Sequence, residues 1–169
     1  RVPQLQISYG SKVNDSNLVT TSERFDFIPA DSRLVANFSA DALTKVISEL
    51  PKSYDVVILD LPGSLSQPLS MALSVSQLVI VPVRSNLHST RGYLQIKSIS
   101  AGVEVKALAI GVNDFIADAE LIDEPLLESN ELEAAAATKL SILTHSKTSE
   151  SAESFRNVGY SILEKLGLE

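Results

Sequence analysis

Two short runs of almost unbroken apolar residues constrain the fold more than any other feature of this sequence. They read DVVILDL (55–61) and QLVIVPV (77–83). A strand with one exposed face alternates apolar and polar residues, whereas a strand buried on both faces is apolar almost throughout. We therefore expect both runs to be central strands of a mostly parallel sheet, with helices covering its two faces.

Segments of helical period alternate with these runs and with two further strand-like runs, FDFIPA (25–30) and VKALAIGV (105–112). Ser39 and Ser89 are suitable N-caps, and Gly102 is a suitable end for the helix that Ser89 begins. The repeated order of strand and helix predicts a three-layer α/β fold. The helical segments are residues 39–51, 68–76, 89–102 and 149–167.

The composition limits the class of protein. The 169 residues include no cysteine and only two histidines, which excludes disulfides and thiolate metal sites within this sequence. No apolar run approaches the roughly 20 residues needed to cross a bilayer, and the first residues lack the pattern of a signal peptide. We therefore expect a soluble, cytoplasmic protein with no transmembrane segment.

The net charge of −7 is concentrated in the last third of the sequence. Residues 1–114 contain 10 acidic and 10 basic residues, whereas residues 115–169 contain 11 acidic and 4 basic residues. Binding to nucleic-acid phosphates needs a basic surface. We therefore expect no general attraction to nucleic acid, although a small basic patch is compatible with this composition.

Polar residues follow three of the predicted strands, at the end where open α/β sheets bind ligands. These residues are Asp60, Asn86 and Asn113. An acid at the end of an apolar strand commonly holds magnesium through water, because Mg²⁺ uses few protein carboxylates and keeps most of its hydration shell. The pattern alone also allows a simpler role for Asp60, as the cap of the following turn.

The stretch from residue 54 to residue 99 begins YDVVILDLPGSL and continues through QLVIVPVRSN, and it resembles the Walker B and switch II region of the ParA/MinD family of deviant Walker ATPases. In members of this family an apolar strand ends in the motif Asp-x-Pro-Pro or Asp-x-Pro-Gly. Two further stretches are similar to the family, RFDFIPADSRL (24–34) and ALAIGVND (107–114). The resemblance covers roughly residues 20–169 and implies a P-loop NTPase-like fold that uses ATP and Mg²⁺.

The resemblance implies a role for each matching residue. Asp60 matches the Walker B acid, which orients a magnesium-bound water. Leu61, Pro62 and Gly63 match switch II, whose backbone senses the γ-phosphate and changes position after hydrolysis. Asn113 matches the residue that contacts the adenine base. ATP contacts are therefore expected at Pro62, Gly63 and Asn113, and a magnesium site is expected at Asp60.

The family also implies partners. Its members dimerise around two ATP molecules, and the ATP-bound dimer binds nonspecific DNA or a membrane surface. We therefore expect a homodimer, a partition or adaptor protein that stimulates ATP hydrolysis, and DNA segregation as the leading role. Acidic neighbours in the sequence favour a solvated face for the candidate DNA contacts. These candidates are Lys139, Lys147, Arg156 and Lys165.

One family motif does not occur in these 169 residues, the phosphate-binding loop Lys-Gly-Gly-x-x-x-Lys-Ser/Thr. In the family its strand lies beside the Walker B strand, so without it DVVILDL would be an unpaired apolar edge that favours aggregation. We therefore expect a longer parent protein whose upstream segment carries the loop. Residues 1–169 would then form a single domain, about the C-terminal two thirds of the fold, without its first strands.

The first residues suggest where the resemblance begins. The segment VPQLQIS (2–8) is similar to the tail of switch I, with Pro3 and Gln4 matching the last two positions of Asp-x-Asp-Pro-Gln. On this alignment the sequence begins just after the second strand of the family fold.

Two alternatives to an ATP-driven switch stay open at this point. The first is a nucleotide-free adaptor that keeps the fold and its partner surface. The second is a response-regulator receiver domain phosphorylated at Asp60, because YDVVILDLPG also resembles a phosphoacceptor strand. A receiver usually has an acidic pair after its first strand and Lys-Pro after its last, and neither pattern is present here.

Overall fold

The computed structural model divides into two compact units, Arg1–Ser76 and Gln77–Glu169, and each is described by itself. The residues that the structure describes are 4–8, 18–23, 25–29, 40–50, 54–61, 63, 65–100 and 102–168.

The first unit contains a four-stranded sheet in the order β2-β3-β1-β4. Strand β1 runs parallel to both of its neighbours, and β2 is antiparallel to β3. The mostly parallel sheet that the apolar runs predict is therefore confirmed for this unit. The strands are β1 (Gln4–Ser8), β2 (Val19–Thr20), β3 (Phe25–Ile28) and β4 (Val56–Asp60).

Helices α1 (Ala40–Ser48) and α2 (Gln67–Val75) belong to the same unit and pack against each other. The core of this unit is centred on the fully buried side chain of Ile28 in β3. Apolar residues pack around it from α1, from β4 and from the segments next to them. They are Leu18, Val46, Ile47, Leu50, Tyr54, Val57 and Leu59.

A hydrogen bond between side chains ties the start of β4 to β3. The hydroxyl of Tyr54 donates to the carboxylate of Asp26. Burial, followed by this hydrogen bond, raises the pKa of Tyr54 to about 12. The tyrosine therefore remains a neutral donor far above neutral pH.

Strand β1 differs from what the sequence predicts. The alignment with the family places Gln4 at the tail of switch I, whereas in the structure it begins a strand that lies between β3 and β4, with Ser8 opposite Asp60. The alignment does not predict this strand, and Pro3 lies outside the described residues. Pairing with strands far along the chain decides this conformation, which a five-residue segment of mixed polarity does not reveal.

In the second unit, β5 (Leu78–Arg84) and β6 (Glu104–Ile110) pair in parallel. The chain after β6 then runs alongside it, because the amides of Ile122 and Leu126 each donate to a β6 carbonyl at 2.8 Å. The helices of this unit are α3 (Leu87–Ile99), α4 (Asn130–Ala137), α5 (Ile142–His145) and α6 (Glu150–Lys165).

Helices cover both faces of β6. Val105 and Ala107 pack in one buried cluster with Tyr93 of α3, whereas Leu108 packs in another with Val158 of α6. Successive side chains of a strand point to opposite faces, so α3 and α6 lie on opposite sides of this strand. The predicted α/β layering is therefore confirmed within this unit.

The two long apolar runs do not lie at the centre of the sheets that the structure describes. Among the described residues, β4 pairs only with β1, and β5 pairs only with β6. The side chain of Ile58 in β4 remains 45% exposed. The structure therefore differs from the prediction of central strands, because apolarity shows that side chains are suited to burial but does not specify what covers them.

Helix α3 begins earlier than the sequence predicts. Its N-cap is Asn86 rather than Ser89, and the Asn86 side-chain oxygen accepts a hydrogen bond from the Ser89 amide at 2.9 Å. The helix also ends before Gly102, which has a φ of 85°. Ser39 and Pro51, the predicted limits of the preceding helix, lie outside the described residues.

Helices α4 and α6 end with the same pair of backbone hydrogen bonds but with different residues. In α6 the left-handed position is Gly167, with a φ of 68°, whereas in α4 it is Lys139, with a φ of 58°. The Lys139 amide donates to Ala136 at 3.0 Å, and the Leu140 amide donates to Ala135 at 3.2 Å. This Schellman geometry favours glycine, because a Cβ atom is strained in the left-handed region.

Replacing Lys139 by Gly is therefore expected to stabilise the protein by about 1 kcal/mol, measured as the free energy of unfolding in urea. Thr138→Gly is the matched control, since Thr138 has ordinary helical angles and glycine there is expected to destabilise. Equal destabilisation by both substitutions would show that the left-handed conformation carries no strain.

Candidate functional site

Asp60 is the last residue of β4, and its side chain is exposed at the carboxyl end of that strand. Ser8, the last residue of the parallel strand β1, lies opposite it. Carboxyl ends of parallel strands are where α/β folds collect ligand-binding groups. Among the described residues, no three His, Cys, Asp or Glu side chains gather into a metal site. A single carboxylate suits magnesium, which takes one or two carboxylates and otherwise keeps its waters.

Gly63 and Ser66 lie in the segment between Asp60 and α2. Gly63 is exposed, and a Cβ atom built on it would have no neighbour within 4 Å. Ser66 has the extended backbone of an N-cap, but its hydroxyl makes no capping bond and is buried without a partner. A missing N-cap bond typically costs about 1 kcal/mol of helix stability. Pro62, the second predicted switch residue, lies outside the described residues.

Asn113 belongs to the second unit and follows β6 after a sharp turn at Gly111, which has a φ of 72°. Its side-chain oxygen accepts hydrogen bonds from the amides of Phe115 at 3.0 Å and Ile116 at 3.1 Å. Asparagine commonly closes turns in this way. Its side-chain nitrogen, in contrast, is buried without a hydrogen-bond partner. Asn113 therefore presents a fixed amide whose donor side is unsatisfied.

A short 3-10 turn (Asp118–Glu120) after Asn113 is anchored to α3. The carboxylate of Glu120 accepts hydrogen bonds from the hydroxyl of Tyr93 and from the ammonium group of Lys97. Lys97 first, and then Tyr93, lowers the pKa of Glu120. Burial first, and then the bond to Glu120, raises the pKa of Tyr93. This cluster ties the loop after β6 to the helix beside it.

Two serines of α6 hold the next part of the same loop. The Ser154 hydroxyl donates to the Pro125 carbonyl at 3.0 Å and accepts from the Leu127 amide at 3.1 Å. The Ser151 hydroxyl donates to that of Ser129 at 2.7 Å. Both α6 serines are buried, so these bonds are protected from competition with water.

The polar residues at the end of β5 have structural partners. Arg84 pairs with the carboxylate of Glu128, and Asn86 caps α3. His88 and His145 are both exposed. None of these four side chains requires a ligand to explain its position.

Sequence reasoning did not find the contacts that hold the Asn113 loop. Glu120 lies 27 residues from Tyr93 and 23 from Lys97, so no local pattern marks the cluster. Ser151 and Ser154 are equally inconspicuous, because serines near the start of a helix are common for other reasons. The one available signal is the tyrosine itself, whose hydroxyl needs a partner when the ring is buried.

No helix in the part of the chain that the structure describes is long and apolar enough to cross a membrane.

Comparison with curated proteins finds relatives in the ParA family. A ParA family protein of Mycoplasma pneumoniae is 25% identical over 104 residues, which cover 57% of this chain and 38% of the relative. The sporulation initiation inhibitor protein Soj of Bacillus subtilis is 29% identical over 104 residues, which cover 54% and 41%. The matches thus span about two fifths of the length of each relative.

Comparison with solved structures finds the same fold. The septum site-determining protein MinD of Pyrococcus horikoshii, complexed with Mg-ADP, has a TM-score of 0.76 and 14% identity, with 97% of this chain and 84% of that chain covered. A ParA family ATPase of Chlorobium tepidum has a TM-score of 0.73 and 14% identity, with 95% and 86% covered. At such identities the likeness shows the fold alone.

The family described as "AAA domain" matches residues 5–109. The match includes β4 with Asp60 and continues almost to the end of β6. Because it covers more than half of the chain, and because ParA proteins are similar in sequence and ParA and MinD proteins in fold, the chain belongs to the ParA/MinD-like family of P-loop ATPases.

Proposed function

We propose that this chain is part of an ATP-dependent positioning or partition switch. An ATP-driven homodimer would segregate DNA or another cargo and would hydrolyse ATP slowly until a partner protein stimulates it. The observation that carries the proposal is the exposed carboxylate of Asp60, at the carboxyl end of a parallel strand within a ParA/MinD-like fold. Family membership also removes the receiver-domain alternative for this residue.

Asp60 is proposed to hold magnesium and to orient one of its bound waters. The structure supports this through its donor set, since one exposed carboxylate at a strand end is the kind of ligand that Mg²⁺ accepts without losing most of its waters. Magnesium, when bound, neutralises charge on the phosphoryl group during transfer. MinD of P. horikoshii, a structural neighbour, is described as a complex with Mg-ADP, which supports the same nucleotide and ion here.

The segment Leu61–Gly63 is proposed to act as switch II. Its support is the uncrowded Gly63 and the uncapped start of α2 at Ser66, which lower the cost of a change in backbone conformation at these two residues. A backbone that moves when the γ-phosphate is lost couples hydrolysis to a change of shape. Pro62 is proposed to be part of this switch.

Asn113 is proposed to contact the base of the nucleotide. The support is its unsatisfied side-chain nitrogen, since a buried donor without an acceptor is costly and ligands commonly supply what the protein does not. The buried core around Tyr93 holds the loop that follows Asn113, and hydrogen bonds of Ser154 in α6 hold a later part of the same loop.

The partner surface is proposed to include nonspecific DNA, in a homodimeric cytoplasmic protein. A structural neighbour from Borrelia burgdorferi is described as a plasmid partition protein, which favours DNA segregation as the role. Of the four candidate bases, Lys165 pairs with Asp123 at 3.4 Å, and Arg156 donates to the carbonyl of Lys147. Of these two, Lys165 has its charge paired, whereas Arg156 bonds a neutral carbonyl and keeps its charge for a DNA contact, alongside Lys139 and Lys147.

A nucleotide-free adaptor is the second candidate function. The observation that favours it is the lack of a phosphate-binding loop with its lysine anywhere in the 169 residues. Without such a loop the triphosphate would lose its main set of backbone amide donors. We propose that a further segment of the same protein supplies the loop, which makes residues 1–169 part of one ATPase domain.

The test compares these two functions in the full-length gene product. We expect the sequence upstream of Arg1 to encode a glycine-rich loop with lysine, and the purified protein to bind and hydrolyse ATP only when Mg²⁺ is present. Phosphate release with and without Mg²⁺, together with ATP-dependent dimerisation in analytical ultracentrifugation, measures both properties. A product that has no such loop and no affinity for Mg-ATP would establish the adaptor instead.

A further inference from the structure

An ion pair crosses the carboxyl end of β6. Arg84, the last residue of β5, lies opposite Ile110 at the end of β6. A strand has one neighbour on each edge, so Leu126, which also pairs with Ile110, lies on the other side of β6. The backbones on the two sides are about 10 Å apart, because neighbouring strands are about 4.8 Å apart. Arg84 pairs with Glu128, just after Leu126, so the ion pair lies across this strand end.

This ion pair is exposed and is therefore easily exchanged. The side chain of Arg84 is 57% exposed and that of Glu128 is 55% exposed. Water and salt screen such a pair, so it contributes little to the free energy of folding. A phosphate group carries more charge than a carboxylate and accepts two parallel N–H bonds from the planar guanidinium group of arginine. A phosphate that reaches Arg84 therefore gains more than the loss of Glu128 costs.

Arg84 lies at the edge of the sheet where α/β folds bind ligands. Strands β5 and β6 run parallel and in register, so their carboxyl ends lie at the same edge. Asn113, the proposed contact for the base, follows the end of β6 by three residues. A nucleotide that lies along this edge from Asn113 towards β5 would bring its phosphates to Arg84.

The acids that follow β6 make a cation necessary for a phosphate at this edge. Asp114, Asp118 and Glu124 are all exposed, and their charge repels a phosphate that has no cation beside it. The guanidinium group of Arg84 is such a cation. It would be paired before binding, with Glu128, and after binding, with the phosphate, so the exchange leaves no positive charge without a partner.

We infer that Arg84 binds a phosphate group of the nucleotide, and that Glu128 holds the guanidinium group across the end of β6 until the phosphate displaces it. The choice of ligand rests on the proposed nucleotide-binding function. The contact adds a phosphate-binding residue to the second unit, apart from any glycine-rich loop. The exchange breaks the ion pair between Arg84 and Glu128, forms charge-assisted hydrogen bonds to phosphate oxygens, and moves no proton.

The first test measures the binding of ADP and adenosine to the full-length protein by isothermal titration calorimetry. We expect Arg84→Gln to bind ADP about tenfold more weakly and adenosine equally well, because adenosine has no phosphate. Arg91→Gln removes the same charge from an exposed position on α3 and is expected to bind ADP as the unmodified protein does. Equal affinity of Arg84→Gln and the unmodified protein for ADP would overturn the inference, as would the absence of ADP binding.

Glu128→Gln tests the exchange itself, because its expected effect has the opposite sign. Without the carboxylate that competes for Arg84, we expect ADP to bind about threefold more tightly, as the loss of an exposed ion pair allows. A purely structural ion pair would instead make both variants bind ADP equally well or equally poorly. Glu124→Gln removes the same charge from an exposed position in the same segment. Equal tightening by both acid variants would assign the effect to net charge and overturn the role of Glu128.

These outcomes are separable from those of the proposed function. Hydrolysis of ATP that depends on Mg²⁺ and Asp60, together with ADP binding that is unchanged in Arg84→Gln, would support the switch and reject the phosphate contact. Binding of ADP that depends on Arg84, in a protein that never hydrolyses ATP, would support the phosphate contact and reject the switch.

Discussion

Replacing Asp60 by Asn in the full-length protein is expected to lower Mg²⁺-dependent ATP hydrolysis about a hundredfold or more, without unfolding the protein. The amide has the size of the carboxylate but no negative charge, so it cannot hold a magnesium-bound water in place. Because the Asp60 side chain is exposed at the end of β4, its exchange removes no core contact. Phosphate release measured across a range of Mg²⁺ concentrations reports the loss.

The matched control for this substitution is Asp55→Asn. Asp55 is also an exposed acid, but it lies just before β4, at the opposite end of the strand. Its loss changes the net charge by the same amount and leaves the carboxyl end of the sheet untouched. We expect hydrolysis by Asp55→Asn to match that of the unmodified protein. Equal turnover by both variants would remove Asp60 from the magnesium site.

The sequence predicts the elements that are long and strongly patterned. DVVILDL, QLVIVPV and VKALAIGV match β4, β5 and β6 to within two residues at each end, because short apolar runs between turn residues commonly form buried strands. The last helix is equally recognisable from its apolar stripe and from Gly167, which takes the left-handed angle that closes it.

Elements whose conformation depends on distant partners were not predictable. Strand β1 reads QLQIS, a pattern compatible with a loop, and it becomes a strand because β3 and β4 pair with it on either side. Asn86 and Ser89 are both suitable residues to cap the start of α3. Asn86 is the cap in the structure, so Leu87 and His88 belong to the helix.

The candidate site, too, has residues that the sequence reveals and contacts that only the fold determines. Asp60 stands out because an acid that ends an apolar strand is rare, and Asn113 was found by resemblance to the family. The engagement of the Asn113 oxygen by its own turn is not visible in the sequence, since it depends on backbone angles set by Gly111 and on the burial of Ile116.

Replacing Tyr93 by Ala is expected to cost about 3–5 kcal/mol of the free energy of unfolding. The ring is 1% exposed and packs with Val83, Val105 and Ile116, so its removal leaves a cavity that these neighbours fill only in part. Tyr160→Ala is the matched control, because Tyr160 is 69% exposed on α6 and its loss is expected to change stability by less than about 0.5 kcal/mol. Unfolding in urea measures both variants.

Tyr93→Phe separates the ring from its hydroxyl and adds a dependence on pH. Folding raises the pKa of Tyr93 and of Tyr54, in the case of Tyr54 to about 12. At a pH below the tyrosine pKa in the unfolded chain, about 10, each hydroxyl therefore makes its full contribution to stability. Above that value the unfolded chain loses these protons more easily, and stability falls as pH rises. We therefore expect Tyr93→Phe to be less stable than the unmodified protein at neutral pH but to lose less stability above pH 10. An unchanged alkaline slope in this variant would show that the Tyr93 hydroxyl ionises as readily in the folded protein as in the unfolded chain, which its burial and its bond to Glu120 oppose.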